Sequence, residues 1–401
     1  MDRLSLKVIL AILALGISNM AISRTNSAAQ SINVWCASAD FIPALTEFSA
    51  AFERANPDIS VNLLSLPNEE MKTSVIRAVR AGRGPDIVII SSDNTALQEV
   101  MKLSELPKDE AVKDLAPELH EALLHKGRNY GLPLYQHNRL MMFYNKQLVN
   151  QPVKSLEGLM QQASAWRQRN ILPLGIHPQE PYWFMHFVTY FQPELINQQD
   201  INESRQAITD ALVLYKRLID QNVIDDACTY DCVLTQFLDN RVAYAINGNW
   251  AYRHIVNEMG DKVGVIPFPS YQGKPMRALS SISVMTFPNN SWFGSNRQNV
   301  RAFSRFLRSA EVQQQLFEVS YLIPFHQRVV EGLTNNRLFT QQWVLSSENV
   351  VMQPTATSVT IWNGVEKAVN LYLNGHVDAK EATTYMLKVV ERDRDKLMRG
   401  Q

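Results

Sequence analysis

The sequence predicts an α/β protein, and three observations carry the prediction. Short apolar runs of strand length alternate with longer stretches whose apolar residues recur every three or four positions, the spacing of one helix face. The run DIVII at 86–90 is too continuous for a half-exposed strand, so it indicates a strand buried within a largely parallel sheet. At 401 residues the chain is longer than one core usually grows, which favours two domains over a single large one.

The region from 32 to 90 is predicted to form two β-α-β units. INVWC at 32–36 is a short buried strand. Four apolar residues after it recur at helical spacing: Phe41, Leu45, Phe48 and Phe52. Pro57 ends this helix, and ISVNLL at 59–64 returns as a strand. Residues 69–82 form a second predicted helix, which Gly82 ends before the DIVII strand.

Later segments continue the alternation without an internal repeat. VAYAI at 242–246 is a predicted strand. Two further stretches carry a helical stripe of apolar residues: Ile208, Leu212, Tyr215 and Ile219, and then Trp362, Val365, Val369 and Tyr372. No stretch rich in Pro, Gly and Ser marks a linker, so two domains would be joined by short hinges that the chain crosses more than once.

Residues 1–29 have the pattern of a secretory signal peptide. MDRLSLK carries positive charge, VILAILALGI is an apolar run too short to span a bilayer, and small polar residues follow. The SAA at 27–29 places cleavage before Gln30, with an earlier cut after Ser23 as the alternative. An uncleaved membrane anchor is the competing interpretation of the same segment. Cleavage predicts an exported protein located in the periplasm.

Charge excludes a nucleic-acid partner. Cleavage before Gln30 removes three basic residues and one acidic residue from a chain with 39 of each, leaving 36 basic and 38 acidic residues and a net charge of −2. A surface that neutralises phosphates needs a cluster of unpaired Lys and Arg, which this balance does not supply. No later stretch approaches the 18 continuous apolar residues of a membrane-spanning helix.

Three cysteines suit an exported protein. Cys228 and Cys232, in CTYDC, lie close to a predicted helix start, where their Cα separation can fit a disulfide. Cysteines four apart in a regular helix seldom have the right Cβ directions, so the bonded and free forms both stay open. Cys36 is interpreted as a buried small apolar residue rather than a nucleophile. Scattered histidines give no zinc-site spacing, and neither a metal nor a cofactor is expected.

The stretch AGRGPDIVIISSD at 81–93 resembles a phosphate loop only superficially. It lacks the required Lys and Ser/Thr, and it precedes a strand where a phosphate loop would open a helix. Its glycines are explained by a helix end at Gly82 and a turn at 84–85. SSDN at 91–94 is more informative, because it follows a buried parallel strand at the sheet edge where α/β proteins bind ligands.

Four loops combine polar groups with aromatic residues: GLPLYQHNR at 131–139, HPQEPYW at 177–183, INGNW at 246–250 and TIWNG at 360–364. Aromatic faces pack against the C–H faces of sugars, while Asp, Glu and Asn bind sugar hydroxyls. Each aromatic residue alone is more simply a core residue. Four loops with one composition favour a carbohydrate site.

Taken in order, several motifs resemble those of periplasmic solute-binding proteins of the maltose-binding type, which serve carbohydrate ABC importers: INVW, AGRGPDIVII, YGLPL, MMFYNKQL, QEPYW, RVAYAINGNWAY and VGVIPFPSYQGKP. The similarity covers nearly the whole mature chain. It implies the two-lobed, type II periplasmic-binding-protein fold, with a mixed, mostly parallel sheet flanked by helices in each lobe and a ligand cleft between them.

The resemblance also implies lobe boundaries and ligand contacts. The N-terminal lobe would comprise residues 30–136 and 284–330, and the C-terminal lobe residues 137–283 and 331–401. The predicted ligand-binding residues are Asp93, Glu180, Tyr182, Trp250, Trp362, Tyr135, Asn138 and Asp40. They would bind a small carbohydrate or polyol without catalytic residues. A monomer that delivers this ligand to a membrane permease is the implied arrangement.

Several positions depart from the maltose-binding pattern. Ile90 stands where an aromatic ring is usual, Asn94 replaces a basic residue, and Asp40 replaces a lysine. The acidic residue expected in the hinge loop falls near His137 or Asn138. These departures point to a ligand other than a maltodextrin. Two alternative functions stay open: the same cleft coupled to a sensor kinase or chemoreceptor, and a glycosidase that uses Asp93 and Glu180 as paired carboxylates.

Overall fold

The computed structural model describes residues 30–343 and 349–399. The signal peptide predicted at 1–29 lies outside the described residues. The strands, numbered in chain order, are β1 Gln30–Cys36, β2 Ile59–Ser65, β3 Ile87–Ser91, β4 Leu124–His125, β5 Arg128–Asn129, β6 Leu132–His137, β7 Leu140–Asn145, β8 Leu172–Gly175, β9 Val242–Gly248, β10 Val263–Ile266, β11 Leu279–Thr286, β12 Ile323–Pro324 and β13 Val350–Val351.

The α-helices of the described residues are α1 Ile42–Ala55, α2 Asn68–Arg80, α3 Lys108–Val112, α4 Leu156–Gln168, α5 Pro181–Val188, α6 Arg205–Asp220, α7 Tyr230–Leu238, α8 Asn249–Met259, α9 Arg297–Leu307, α10 Ala310–Ser320, α11 Gln327–Gly332, α12 Arg337–Trp343, α13 Ala356–Leu373 and α14 Ala379–Met398. A 3₁₀ helix at Ser92–Leu97 follows β3 directly. The alternation of strands and helices confirms the predicted α/β class.

A large sheet organises the first part of the chain. Its strand order is β12-β6-β11-β3-β1-β2, and β13 pairs with the beginning of β11. The stripe predicted on α1 is buried, with Leu45, Phe48 and Phe52 packing into the core of this sheet. The second predicted helix is α2, and Gly82 follows it with a φ of +67°, the left-handed conformation in which glycine ends helices. We call this unit the large-sheet lobe.

A second core surrounds a four-stranded sheet with the order β10-β7-β9-β8. The apolar stripe of α6 is buried here at Ile208, Leu212 and Tyr215. Helix α13 packs into the same core through Val365 and Val369, on the stripe that its sequence predicts. We call this unit the small-sheet lobe.

The predicted mostly parallel pairing holds only in part. Strand β1 pairs in parallel with β2 and β3, and β8 pairs in parallel with β9. In contrast, β11 runs antiparallel to β3 and β6, and β7 runs antiparallel to β9 and β10. Local periodicity misses this because antiparallel neighbours need no crossover helix and can come from distant parts of the chain. The chain passes from the large sheet to the small one between β6 and β7, and returns between β10 and β11.

Candidate ligand-binding site

The site forms where strand β3 ends and the two lobes meet. The 3₁₀ helix Ser92–Leu97 continues from β3, and α13 of the small-sheet lobe packs directly against it. Asp93 is therefore only 3% exposed. Ile90, by contrast, is buried in the core of the large-sheet lobe, since side chains alternate along a strand and Ser91 takes the opposite face.

Asp93 is held by neighbouring donors. The Ser91 hydroxyl and, at 3.4 Å, the Asn94 side-chain amide donate to its carboxylate. Burial raises the pKa of Asp93, and the Ser91 hydrogen bond and the charge of Lys72 act against that rise. Lys72, on α2, has its own pKa lowered by burial. The carboxylate predicted at the strand end is thus placed at the lobe interface in a poorly solvated environment.

A series of hydrogen-bonding side chains connects Asp93 to the segments where the chain passes between the two lobes. We call the residues between β6 and β7, and those at the start of β11, the crossing segments. The Ser91 hydroxyl lies 2.8 Å from the Ser281 hydroxyl on β11, and the Asn138 side-chain amide donates to Ser281 at 3.0 Å. Asn138 lies between β6 and β7 with a φ of +53°, a conformation that asparagine tolerates better than most residues. Asn138 therefore serves as a turn residue as well as a hydrogen-bond donor.

Glu180 and Tyr182 begin helix α5. Glu180 is the N-cap, and its side chain accepts from the Tyr182 amide at 3.4 Å. Proline follows the cap in a position where its missing N–H costs nothing. Burial raises the pKa of Glu180, the Tyr182 hydrogen bond lowers it, and the charges of Glu69 and Glu366 raise it further. The EPY motif thus places one carboxylate and one phenol ring at the helix start.

The Tyr182 hydroxyl contacts backbone carbonyls of the crossing segments. It donates to the Asn138 carbonyl and lies 3.2 Å from the Leu279 carbonyl at the start of β11. His186, one turn later on α5, contacts the Tyr182 carbonyl through Nδ1 at 2.7 Å and accepts from the Leu279 amide through Nε2 at 3.0 Å. The Tyr182 hydroxyl is therefore committed to the junction between the lobes.

Five aromatic rings of the small-sheet lobe form a continuous group, which we call the aromatic cluster: Tyr182, Trp183, Tyr230, Trp250 and Trp362. The Tyr182 ring lies 5.7 Å from Trp362 and 6.4 Å from Trp250. Trp362 is oriented by its indole N–H, which donates to the Ser358 carbonyl at 2.6 Å. Gly248 allows the position of Trp250, because a Cβ there would lie 2.2 Å from the indole.

Trp183 and Tyr230 were not among the predicted site residues. Trp183 lies 6.0 Å from Trp250, and Tyr230 lies 6.3 Å from Trp183 between ring centroids. Trp183 follows Tyr182 in the sequence, so its motif offered a signal. Tyr230 offered none, because only the fold brings α7 to α5.

A disulfide joins Cys228 to Cys232, with Cα atoms 5.4 Å apart. Helix α7 begins at Tyr230, so Cys228 precedes the helix and only Cys232 lies within it. The geometric objection to cysteines four apart applies to a regular helix and does not apply here. Cys36 is free and buried, and burial raises its pKa to about 12, which suits an unreactive thiol.

The remaining predicted residues lie on the large-sheet lobe. Asp40 directly precedes the N-cap of α1, and Tyr135 lies on β6 with no exposed surface. His137, at the end of β6, has its ring 5.5 Å from Tyr135 and 6.1 Å from Trp250. His137 therefore connects this group to the aromatic cluster of the other lobe.

The chain forms two sheets joined by the crossing segments, and polar strand ends of one lobe lie against aromatic rings of the other. This arrangement is typical of two-lobed binding proteins. The chain belongs to the bacterial extracellular solute-binding protein family, whose model matches residues 47–341. Membership in this family implies an exported protein. A curated relative, the maltotriose-binding protein of Pyrococcus abyssi, is 22% identical over 338 residues, which cover 78% of this chain and 71% of that protein.

Solved structures show the same fold. The GacH receptor of Streptomyces glaucescens, studied unliganded and in complex with acarbose, matches with a TM-score of 0.80 at 19% identity, covering 92% of this chain and 99% of that one. The maltotriose-bound maltose/maltodextrin-binding domain of Bdellovibrio bacteriovorus matches with a TM-score of 0.80 at 21% identity, covering 90% and 99%. The maltotriose-bound protein of Thermus thermophilus matches with a TM-score of 0.80 at 19% identity, covering 90% and 99%. These matches confirm the predicted two-lobed, type II fold.

The described residues contain neither a membrane-spanning helix nor a metal-binding cluster. Within 30–343 and 349–399, no helix is long and apolar enough to cross a bilayer. Over the same ranges, no group of three or more His, Cys, Asp or Glu side chains is arranged to hold a metal ion.

Proposed function

We propose that the protein is the extracytoplasmic binding component of an ABC importer and captures a small carbohydrate or related polyol between its lobes. The main support for this proposal is the aromatic cluster, in which Trp250 lies against His137 of the opposite lobe. A pyranose ring offers an apolar face to an indole and hydroxyls to nearby carboxylates. Asp93 from one lobe and Glu180 from the other are the carboxylates proposed for the hydroxyls.

The relatives support a saccharide as the ligand, since a curated relative and two of the matched structures are described by their binding of maltotriose. Identity near 20% does not carry a particular sugar over to this chain. Asp40 and Asn94 still depart from the maltose-binding pattern. We therefore propose a small saccharide with maltotriose as the first to test, and expect a different sugar to bind more tightly.

Neither alternative function gains support from the structure. A glycosidase needs two carboxyl groups at a fixed separation of roughly 5 to 9.5 Å across the scissile bond. Asp93 and Glu180 belong to different lobes, and Glu180 caps helix α5. The matched relatives are binding proteins, so we propose that the protein has no enzymatic activity. No observation favours a sensor kinase or chemoreceptor over a permease as the partner.

We also propose the cellular setting and the lobe boundaries. Cleavage before Gln30 would leave β1 whole and release the protein into the periplasm. The mature chain would be a monomer that docks on a permease. Residues 30–136 with 284–330, and 137–283 with 331–401, are the proposed lobes.

A sugar screen with two tryptophan variants tests the function. The mature protein is titrated calorimetrically with maltose, maltotriose, cellobiose, trehalose and mannitol, and the melting temperature is recorded with each. A ligand at 100 times its dissociation constant stabilises by about 2.7 kcal/mol. Trp250→Leu is expected to weaken binding at least tenfold, because it removes the stacking face.

Trp166→Leu is the matched control. Trp166 is a buried tryptophan of α4 in the same lobe, and it takes no part in the aromatic cluster. Its replacement is expected to lower the melting temperature without changing affinity. Equal affinities of the unaltered protein and Trp250→Leu would contradict the proposed site. A melting temperature that no sugar changes would contradict the proposed function.

A further inference from the structure

We infer that Asp40, Tyr135 and His137 form a subsite that binds two neighbouring hydroxyl groups at one end of the ligand, and we call it the Asp40 subsite. The inference rests on the proposed function and assigns a chemical task to one part of the same cleft. It concerns an uncharged diol rather than an amine or an acid.

Three polar atoms in this subsite are shielded from solvent and have no hydrogen-bond partner: Asp40 Oδ2, the Tyr135 hydroxyl and His137 Nδ1. Ser38 and Ser283 lie near the Tyr135 hydroxyl, but neither meets hydrogen-bond geometry with it. Leaving a buried polar group unpaired costs about 1–3 kcal/mol. The Tyr135 and His137 rings are 5.5 Å apart, and both lie within range of the Asp40 charge. Folded proteins pair nearly all such groups, so three in one place indicate partners that a ligand supplies.

Asp40 is not explained as a helix cap. Aspartate is among the best N-cap residues, and Asp40 lies next to the start of α1. The N-cap is nevertheless Phe41, and no side chain accepts from the free amides of the first turn. The Asp40 carboxylate therefore makes no hydrogen bond to the backbone amides at the start of α1.

Strand β6 aims the other two side chains the same way. Tyr135 and His137 are two residues apart, so they share one face of the large sheet. Their neighbours across the ladder are Ser283 and Ser281, both with small side chains. The register shifts between Ser283 and Val284, and such bulges redirect nearby side chains. The Phe41 ring packs on Tyr135 with centroids 4.9 Å apart.

The donors and acceptors match a diol. A carboxylate oxygen accepts from one hydroxyl, and a phenol donates to the next. Burial lowers the pKa of His137 and the Asp40 charge acts against that shift; a neutral imidazole nitrogen takes either role. An ammonium group only donates, so it would leave the Tyr135 proton unpaired. A phosphate or carboxylate would be repelled by Asp40. A sugar stacked on Trp250 would present its hydroxyls here, because the His137 ring lies 6.1 Å from that indole.

Two near-isosteric variants test the subsite in the mature protein. Tyr135→Phe removes only the hydroxyl, and Asp40→Asn removes only the charge. Tyr215→Phe is the matched control, because the Tyr215 hydroxyl is also buried and unpaired, on α6 in the core of the small-sheet lobe. Each variant is titrated with maltotriose, cellobiose, trehalose and mannitol, and its urea unfolding is measured without ligand.

The subsite predicts at least a tenfold loss of affinity in Tyr135→Phe and Asp40→Asn for each probe that binds the unaltered protein. Tyr215→Phe is expected to bind normally, and both phenylalanine variants should unfold at the same or a higher urea concentration. Unchanged affinity in Tyr135→Phe and Asp40→Asn would overturn the subsite while leaving the proposed function intact. Binding of no probe to the unaltered protein would overturn both.

A charged probe separates the diol from an amine. The disaccharide of glucosamine is titrated in the same series. Binding that is tighter than that of every neutral probe and is lost in Asp40→Asn would replace the diol with an ammonium group. Weaker binding than cellobiose is the result expected for a subsite that takes two hydroxyls.

Discussion

At the residue scale, His186 shows how a buried polar side chain connects the lobes. The Leu279 amide donates to Nε2, so that nitrogen carries no proton and Nδ1 donates to the Tyr182 carbonyl. Burial lowers the pKa of His186 from 6.5 to about 4, because a charged ring there would be poorly solvated. A neutral ring is thus required for the bond that fixes α5 to β11.

This environment predicts a pH-dependent stability. The unfolded chain takes up a proton at His186 below pH 6.5, and the folded chain resists it until about pH 4, so stability falls as the pH drops through that window. The contribution between pH 7 and pH 5 is about 2 kcal/mol. His186→Gln cannot gain a charge in this pH range. At pH 5 the free energy of unfolding of the variant in urea should therefore approach that of the unaltered protein at the same pH. Parallel stability curves from pH 7 to pH 5 would contradict this role.

Residue chemistry was predictable where it depends on neighbours in the sequence. Asp93 was placed at a ligand edge because it follows the buried strand β3. Its connection to Ser281, through Ser91, joins residues 190 apart in the chain, and no local pattern encodes that distance. The same holds for Tyr182, which the sequence predicted as a ligand contact through its ring, while the fold directs its hydroxyl to the backbone of Asn138 and Leu279.

At the element scale, helix α7 depends on the covalent bond at its start. The disulfide joins the turn at Cys228 to the first turn of the helix, and Gln236 donates to Cys232 Sγ at 3.1 Å. Between the two cysteines lies Tyr230, which packs against Trp183 of the aromatic cluster. The bond therefore restrains a ring of the aromatic cluster.

Removing the bond should weaken both folding and binding. Closing so short a loop is worth about 2 kcal/mol. The double variant Cys228→Ser, Cys232→Ser is expected to melt at a lower temperature and bind the cognate sugar more weakly. Dithiothreitol should reproduce both effects in the protein and change nothing in the variant. Identical melting and affinity with and without reductant would show that Tyr230 is held by packing alone.

Helices were predicted more successfully than strand pairing. The apolar stripes on α1, α6 and α13 could be identified from sequence, because each helix buries one face against one core and that face repeats at helical spacing. Pairing of β11 between β3 and β6 joins strands far apart in the chain. Periodicity identifies a strand but not its neighbours, so the mixed sheets required the structure.

At the scale of the whole molecule, contacts join the two lobes across the proposed cleft. Helix α13 covers the 3₁₀ helix that carries Asp93, and Tyr182 binds both crossing segments through its hydroxyl. A ligand that moves such a molecule from 1:99 to 99:1 closed must favour the closed state by about 5.5 kcal/mol. Any bond made only on closure lowers the amount that the ligand must supply.

Tyr182→Phe tests whether the hydroxyl stabilises closure. The variant keeps the ring near Trp362 and loses the hydroxyl that donates to the Asn138 carbonyl and lies near the Leu279 carbonyl. One such bond is worth about 1 kcal/mol, so affinity should fall roughly fivefold. Small-angle scattering at a subsaturating ligand concentration should show a larger radius of gyration than in the unaltered protein.

Tyr190→Phe provides the control for this last comparison. Tyr190 is buried, and its hydroxyl donates to the Pro269 carbonyl rather than to Asn138 or Leu279. Both variants should lose similar stability, because each removes a buried hydroxyl from its acceptor. Only Tyr182→Phe should bind more weakly and open more readily. Equal affinities in the two variants would mean that the hydroxyl stabilises the fold and has no part in closing the cleft.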